Sequence, residues 1–576
     1  MKVIGFAGLA RRSLPSYWDA AAFVLVIAVL VAIVSGSHGV AVPLPPPEQA
    51  PVDLDYWNLP YYALRTTLRM FAALIASLIF TFTYATICAK SRRAEMVLIP
   101  VLDVLQSVPI LGFLSFTVTF FLNLFPGQVL GAECAAVFAI FTSQAWNMAF
   151  SFYQSMRTVP KDLDEVSRGF QLTGWQKFWQ LEAPFAVPGL VWNTMMSMSG
   201  GWFFVVAAEA ITVGDTTIKL PGIGSYLAVA IDGQRLDAVF AAVVAMLFVI
   251  LAYDQILFRP VVAWAGKFRV ELTAGDVDNE SWVLTIFKRS RWIQALLWPL
   301  GWVLRRIAFL PLRFPRVSVL SARPAPGFSR IMDVLWYILI AVGVVWSGWM
   351  VVDFVSTTLG WADVGEAFKL TFFTMIRVVG LIFLASIVWV PVGVWIGLRP
   401  KVADIIQPIA QFLAAFPVNV VFPFVVVGVI YFNLNPDIWL SFLIVFGTQW
   451  YILFNVIAGA SAFPHDLREA AENFHVKGWL WWKSVMLPGI FPYYFTGALT
   501  ASGGSWNAAI VAEYVKWGQD KVSAHGIGSY ISIATDAGDF PRIVLGVAMM
   551  SIFVTMLNRF VWRRLFTMAE RRLRLD

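Results

Sequence analysis

The sequence predicts an all-α polytopic membrane protein: two parallel six-helix repeats, about twelve transmembrane helices in one chain. Three observations carry this reading, namely an apolar excess, an internal repeat at fixed spacing and basic loops on alternate turns. Of 576 residues, 59% are apolar and only 13% charged, roughly half the charge of a soluble chain. Stretches such as residues 20–36 and 332–352 approach the ~20 apolar residues that cross a bilayer as a helix.

The repeat is the strongest signal. At a constant separation of 304, Trp146 matches Trp450, Glu165 matches Glu469, Gly174 matches Gly478, Pro184 matches Pro488 and Glu209 matches Glu513. The same spacing pairs the "GIGSY" runs that begin at Gly222 and Gly526, while upstream the separation is 308 and pairs Arg69 with Arg377 and Pro109 with Pro417. The first copy occupies residues 1–258, with spans near 19–35, 62–88, 95–122, 131–156, 186–211 and 238–258. The second occupies 331–576, with spans near 331–352, 369–397, 403–431, 438–460, 490–513 and 543–562. Because six is even, both copies enter from one side and the repeat is parallel.

Charge sets the orientation. Lys2, Arg11 and Arg12 precede the first span, whereas residues 35–60 carry Glu48, Asp53 and Asp55 without a Lys or Arg. Lys90, Arg92 and Arg93 follow the second span, and Arg157, Lys161, Arg168 and Lys177 follow the fourth. By the positive-inside rule both termini and these loops are cytoplasmic. The amino-terminal run is read as a span, not a cleaved leader, because no small-x-small site leads into a soluble domain. The join, residues 259–330, holds twelve Lys or Arg against four acids and stays inside. Its apolar portion from Trp292 is interrupted by Pro299, Arg305 and Arg306, the pattern of an interfacial amphipathic segment.

Several chemistries are excluded. Cys88 and Cys134 have no metal-binding context, and His38, His465, His475 and His525 lie in polar loops. No G-x-x-x-x-G-K-[ST] phosphate loop, H-E-x-x-H or G-x-S-x-G occurs, so the chain reads as no enzyme and as binding no cofactor itself. The net charge of +7 belongs to cytoplasmic loops and does not imply nucleic acid.

Between the fourth and fifth spans each copy writes a polar elbow, residues 160–184 and 464–488. Pro160 or Pro464 opens a short helix, a turn follows at Gly174 or Gly478, and a second amphipathic piece carries Trp175, Phe178 and Trp179 or Trp479, Trp481 and Trp482. An interfacial aromatic belt accounts for such residues, as do anchors for a partner's pocket.

The elbow resembles the EAA loop of binding-protein-dependent ABC importer permeases of type I. Glu469, Ala470, Ala471 and Pro488 match in the second copy, and Glu165 and Pro184 in the first, where Val166 and Ser167 replace the alanines. Both copies depart at the family's glycine, where Gln171 and His475 stand. Thr66 to Arg69, Thr374 to Arg377 and the "GIGSY" runs are similar to the nitrate, sulfonate and taurine branch, and the duplicated form to fused anion-transport permeases. The resemblance implies a transmembrane permease in a bacterial or archaeal inner membrane, importing a small anion such as nitrate, bicarbonate, a sulfonate or taurine. It implies that each elbow is a coupling helix seated in a cytoplasmic ABC ATPase dimer that holds ATP and Mg. It also implies a periplasmic or lipid-anchored solute-binding protein outside.

Intramembrane charge points to the substrate path. Arg69 and Arg377, with Glu209 and Glu513 near the outer ends of the fifth spans, are the candidates. Two other roles stand beside this one: arginines that snorkel or tie helices together, and glutamates that pair with them or hold the "GIGSY" turn. Breaks at Pro109 and Pro417 mark a cavity wall. An ion-gradient-driven secondary transporter also has two parallel six-helix halves, but does not require matched cytoplasmic elbows.

Overall fold

Apolar runs of this length fold as helices because only a helix satisfies every backbone group without water. The computed structural model describes residues 52–107, 109–213, 216–268, 281–312, 326–461, 463 and 465–562, with scattered positions within 19–31 and 564–568. The basic amino terminus (Lys2, Arg11, Arg12), His38, most of the first predicted span and Pro464 lie outside the described residues.

Six helices among the described residues are long and apolar enough to cross a membrane: Tyr56–Lys90, Val129–Arg157, Leu236–Phe268, Val334–Ser356, Trp361–Gly397 and Phe540–Trp562. The other predicted spans differ for identifiable reasons. The fifth and eleventh, Ala183–Glu209 and Leu487–Ala512, have the length but carry small and polar residues such as Asn193, Ser197, Ser502 and Asn507. They are lined by protein, with Trp202 and Trp506 fully buried.

The third and ninth predicted spans are not straight. One divides into Arg92–Ser107 and Ile110–Leu124 at Pro109, the other into Pro400–Ala415 and Phe422–Tyr431 around Pro417. Proline pushes its predecessor to extended geometry and lacks an amide hydrogen, so the helix must restart. The tenth bends by 44° between Pro436–Phe446 and Gln449–Ser461, where Gly447 and Thr448 replace the Ser143 and Gln144 of an unbroken helix.

Two short antiparallel hairpins went unforeseen in the sequence. Ala210–Val213 pairs Thr216–Lys219, and Tyr514–Trp517 pairs Asp520–Ser523, in registers that match at the 304-residue offset. Each leads into its "GIGSY" helix, Ile223–Asp232 or Ile527–Ala537.

The chain packs as two units. One comprises residues 1–38, 151–193 and 251–323, and so holds the first elbow and the join. The join forms helices Trp282–Arg289 and Arg291–Phe309, started by Ser281 and Ser290, whose hydroxyls accept from Leu284 and Ile293 amides. The second helix runs through Pro299 instead of stopping there.

The other unit, residues 39–150, 194–250 and 324–576, interleaves the two repeats. Asn507 Oδ1 accepts from the Ile110 amide at 2.7 Å, so the fifth helix of the second repeat satisfies the broken third span of the first. Reciprocally, Asn419 Nδ2 donates to Phe203 O at 3.1 Å. The first bond gives the amide freed beside Pro109 its acceptor, and the second ties the Pro417 break to the fifth helix of the first repeat.

Candidate functional site

The elbows share the same helix and turn in both copies and part at the glycine that follows. The first helix is Lys161–Gly169 or His465–Asn473. It is followed by a left-handed residue, Gln171 (φ 52°) or His475 (φ 55°), the position at which the resemblance to the EAA loop expects glycine. Leu172 N then donates to Ser167 O, and Val476 N to Ala471 O, closing the turn at 3.1 and 2.9 Å. Gln171 and His475 therefore hold the same turn, at a conformational cost of about 1–2 kcal/mol for a side chain with a Cβ.

The second piece is continuous with the membrane helix. Gly174–Lys177 passes through a π-helical turn, Phe178–Glu182, directly into Ala183–Glu209, and Gly478–Trp481 does the same through Trp482–Met486. The fifth span thus starts before Pro184 and Pro488, not after them as the sequence implied. The wide turn accommodates the prolines, which cannot donate to an α-helical ladder. Trp175 and Trp479 thereby lie on helical segments continuous with the fifth helices.

Side chains distinguish the two elbows. In the first, Thr173 and Gln176 form a reciprocal capping box, at 3.3 and 3.0 Å. Asp164 ties the two pieces together, accepting from Lys177 and from Arg168 Nη2, and the Lys177 bond holds its carboxyl below the usual range. Phe178 is buried against Phe152, while Glu165 and Trp179 face outward. Trp175 Nε1 donates to Ile307 O at 2.7 Å and Gln176 Nε2 to Phe309 O at 3.0 Å, so the end of the join helix rests on this elbow.

In the second elbow, Arg468 and Trp481 replace Asp164 and Lys177, Lys477 replaces Thr173 and Leu480 replaces Gln176. Glu469 faces outward, Ala471 is buried, Ala470 and Trp482 are half-buried, and Trp479 is 75% exposed. Gly478 is left-handed at φ 61°, whereas Gly174 is not.

The charged candidates assemble into two buried knots. Arg69 Nη1 donates to Glu209 Oε1 at 2.6 Å and to Pro221 O at 2.9 Å, and Arg69 Nε donates to Glu133 Oε2 at 2.6 Å. Arg65 Nη2 adds a bond to Glu133 Oε1 at 2.6 Å. Glu209 also accepts from Thr66 Oγ1 at 2.7 Å and the Gly224 amide at 2.7 Å, and Ile223 N donates to Thr66 Oγ1 at 3.0 Å. In the second copy Arg377 Nη1 donates to Glu513 Oε1, which also accepts from Thr374 Oγ1 at 2.8 Å. Glu513 Oε2 accepts from the Gly528 amide at 2.8 Å. Each "GIGSY" turn is therefore clamped by a Thr-x-x-Arg helix through one glutamate.

Glu133 and Asp437, which complete the knots, escaped the sequence reading. The signal was available: both acids occupy the start of the fourth span at the same 304-residue offset.

The chain matches the family described as binding-protein-dependent transport system inner membrane component over residues 78–258 and 389–575. It belongs to this family. Two copies of the family's module lie in one chain, and each match encloses an elbow and a glutamate of a knot. Among curated relatives, the chain is 30% identical over 191 residues to the bicarbonate transport system permease protein CmpB of Synechococcus elongatus, covering 33% of this chain and 66% of that one. It is 25% identical over 177 residues to the nitrate import permease protein NrtB of a Synechocystis strain, covering 31% and 61%. It is 28% identical over 204 residues to the glycine betaine/carnitine transport permease protein GbuB of Listeria monocytogenes, covering 35% and 66%. The chain thus spans just under two thirds of the length of these relatives.

Proposed function

We propose that this inner-membrane component is the permease of an ATP-driven importer, with elbows 160–184 and 464–488 as the two contacts for a separate cytoplasmic ABC ATPase dimer. The observation that carries the reading is the elbow backbone itself. Two unlike sequences adopt the same left-handed turn at Gln171 and His475 and fuse the same tryptophan position to the fifth helix. A turn kept at a conformational cost in both copies is what a shared socket demands. Glu165, Gly174, Trp175, Phe178, Trp179 and Pro184 shape one plug; Glu469, Ala470, Ala471, Gly478, Trp479, Trp482 and Pro488 shape the other.

ATP and Mg belong to the partner, and this chain performs no hydrolysis. The ATPase dimer must hold the elbows in both states yet close in only one, so that closure moves the fifth helices. Both termini are cytoplasmic, and a solute-binding protein delivers substrate at the opposite face, near the "GIGSY" turns.

The substrate in this reading is a small anion. CmpB and NrtB support that class by their names, while GbuB is named for glycine betaine and carnitine, so the family module by itself does not select an anion. Arg69 with Glu209, and Arg377 with Glu513, frame the outer end of the path. Arg69 is enclosed by carboxylates, whereas Arg377 Nη2 has longer partners, Asp437 Oδ1 at 3.4 Å and His525 O at 3.3 Å.

The test is uptake into vesicles holding the permease with and without its ATPase. Charging both tips, Trp175→Glu with Trp479→Glu, is expected to release the ATPase and abolish ATP-dependent uptake of labelled nitrate or bicarbonate. Undiminished uptake with the ATPase still bound overturns the reading.

A further inference from the structure

The join helix Arg291–Phe309 presents a face that the described protein leaves uncovered. Leu296, Leu297, Leu304 and Ile307 fall at spacings of one, seven and three residues, within about 100° of one another around the helix, and all are exposed, Leu296 to 62%. Arg291, Arg305 and Arg306 lie around the other side, with Arg306 over the Trp302 ring at 5.1 Å. From Ser281 to Met332 the chain has nine Lys or Arg and no acid (Lys288, Arg289, Arg291, Arg305, Arg306, Arg313, Arg316, Arg323, Arg330). A helix with leucine and isoleucine on one face and arginine with tryptophan on the other fits the boundary between headgroups and acyl chains, and a net positive segment selects anionic lipid.

Both ends of this helix are tied to parts that matter. At its start, Asp19 accepts from the Ser290 hydroxyl at 2.9 Å and the Trp292 amide at 3.2 Å. At its end, the Ile307 carbonyl, which also accepts from the Leu310 amide at 3.2 Å, receives Trp175 Nε1, and the Phe309 carbonyl receives Gln176 Nε2. The side chains of the first elbow thus cap the join helix. The second elbow has Leu480 where Gln176 stands, so it lacks that amide donor.

We propose that the join helix lies in the headgroup layer of an anionic leaflet and transmits its attachment, through Trp175 and Gln176, to the first elbow alone. This rests on the coupling-loop reading for its consequence: one ATPase subunit meets a plug braced by lipid, the other an unbraced one.

Hydrogen–deuterium exchange on the full-length permease in nanodiscs tests it, in phosphatidylcholine alone and in a phosphatidylcholine–phosphatidylglycerol mixture. Phosphatidylglycerol is expected to slow exchange in residues 291–309 and 173–177 and to leave 477–481 unchanged. Replacing Arg291, Arg305 and Arg306 by Gln should remove that response by about fivefold per arginine. The pair Trp175→Phe and Gln176→Leu should keep the response in 291–309 and lose it in 173–177. Equal protection of 291–309 in both lipids, as a protein occupant would give, overturns the proposal. So does a response in 477–481 equal to that in 173–177, or transmission that survives the Trp175 and Gln176 changes. No ATPase is present, so failure of the coupling reading, seen as unaltered ATPase binding in the uptake test, is a separate result.

Discussion

In the first repeat Arg65 and Arg69 face Glu133 and Glu209, whereas in the second Arg377 faces Asp437 and Glu513, because Phe373 stands at the position of Arg65. The residue following the hairpin also changes, from Pro221 to His525, whose amide donates to Asp437 Oδ1 at 2.6 Å and whose ring Nδ1 lies 2.9 Å from Oδ2. The first knot is closed and balanced in formal charge. The second has one guanidinium for two carboxylates and reaches the surface through His525, which is 79% exposed. Identical clamps on the "GIGSY" turns therefore sit in different electrostatic settings, and the repeats are not interchangeable.

That comparison fixes the largest expected effect. Arg69→Ala leaves Glu209 buried without its cation, and removing one partner of a buried pair costs about 3–5 kcal/mol. Arg377→Ala also strands the buried Glu513 but should cost less, because Arg377 is itself more exposed than Arg69, 11% against 3%, and Asp437 retains His525. Thermal unfolding of the purified permease, followed by size exclusion, checks the order. Equal losses would break the distinction between the knots.

Next comes a change expected to act equally in both repeats. A Cβ on Gly224 would run into the Val206 carbonyl, and one on Gly528 into the Ala509 carbonyl, both backbone atoms that cannot swing aside. Gly224→Ala and Gly528→Ala should each lower stability by about 1–3 kcal/mol, read in the same assay. A loss confined to one copy would show that only one turn is clamped as tightly as its geometry indicates.

The bonds between repeats sharpen the comparison further. Asn507→Ala strands the Ile110 amide, a cost of about 1–3 kcal/mol. Asn419→Ala should cost less, since it frees only one acceptor, Phe203 O. Unfolding midpoints of the two variants decide this. Both asparagines belong to the second repeat, so a pseudosymmetric contact is made once from the fifth helix and once from the third.

Much of this was legible in the sequence and some was not, for physical reasons. The repeat, the elbows and the Thr-x-x-Arg helices were visible because equal function at a fixed offset leaves equal residues. The hairpins were hidden in four-residue strands, too short for alternation to register. The broken spans were hinted at by Pro109 and Pro417, but Asn507, which satisfies the amide beside Pro109, lies 397 residues from it in sequence. Glu133 was concealed because a single acid at a helix start reads as an ordinary first-turn carboxylate.

The smallest effect lies in the elbows, where the copies differ in how the turn is held. Thr173 caps the second piece of the first elbow, so Gly174 keeps φ negative; Lys477 gives no such cap, and Gly478 is left-handed. Gly174→Ala, in open space, is therefore expected to be neutral, whereas Gly478→Ala should destabilise its elbow by about 1 kcal/mol. The converse changes, Gln171→Gly and His475→Gly, relieve a left-handed side chain and should stabilise each loop by a few tenths of a kcal/mol, since added unfolded-state freedom offsets part of the gain. Exchange rates in 161–177 and 465–481 resolve effects of this size. If Gly174→Ala loosens its elbow as much as Gly478→Ala does, the capping box at Thr173 is not what separates them, and the inequality of the two elbows rests on the join helix alone.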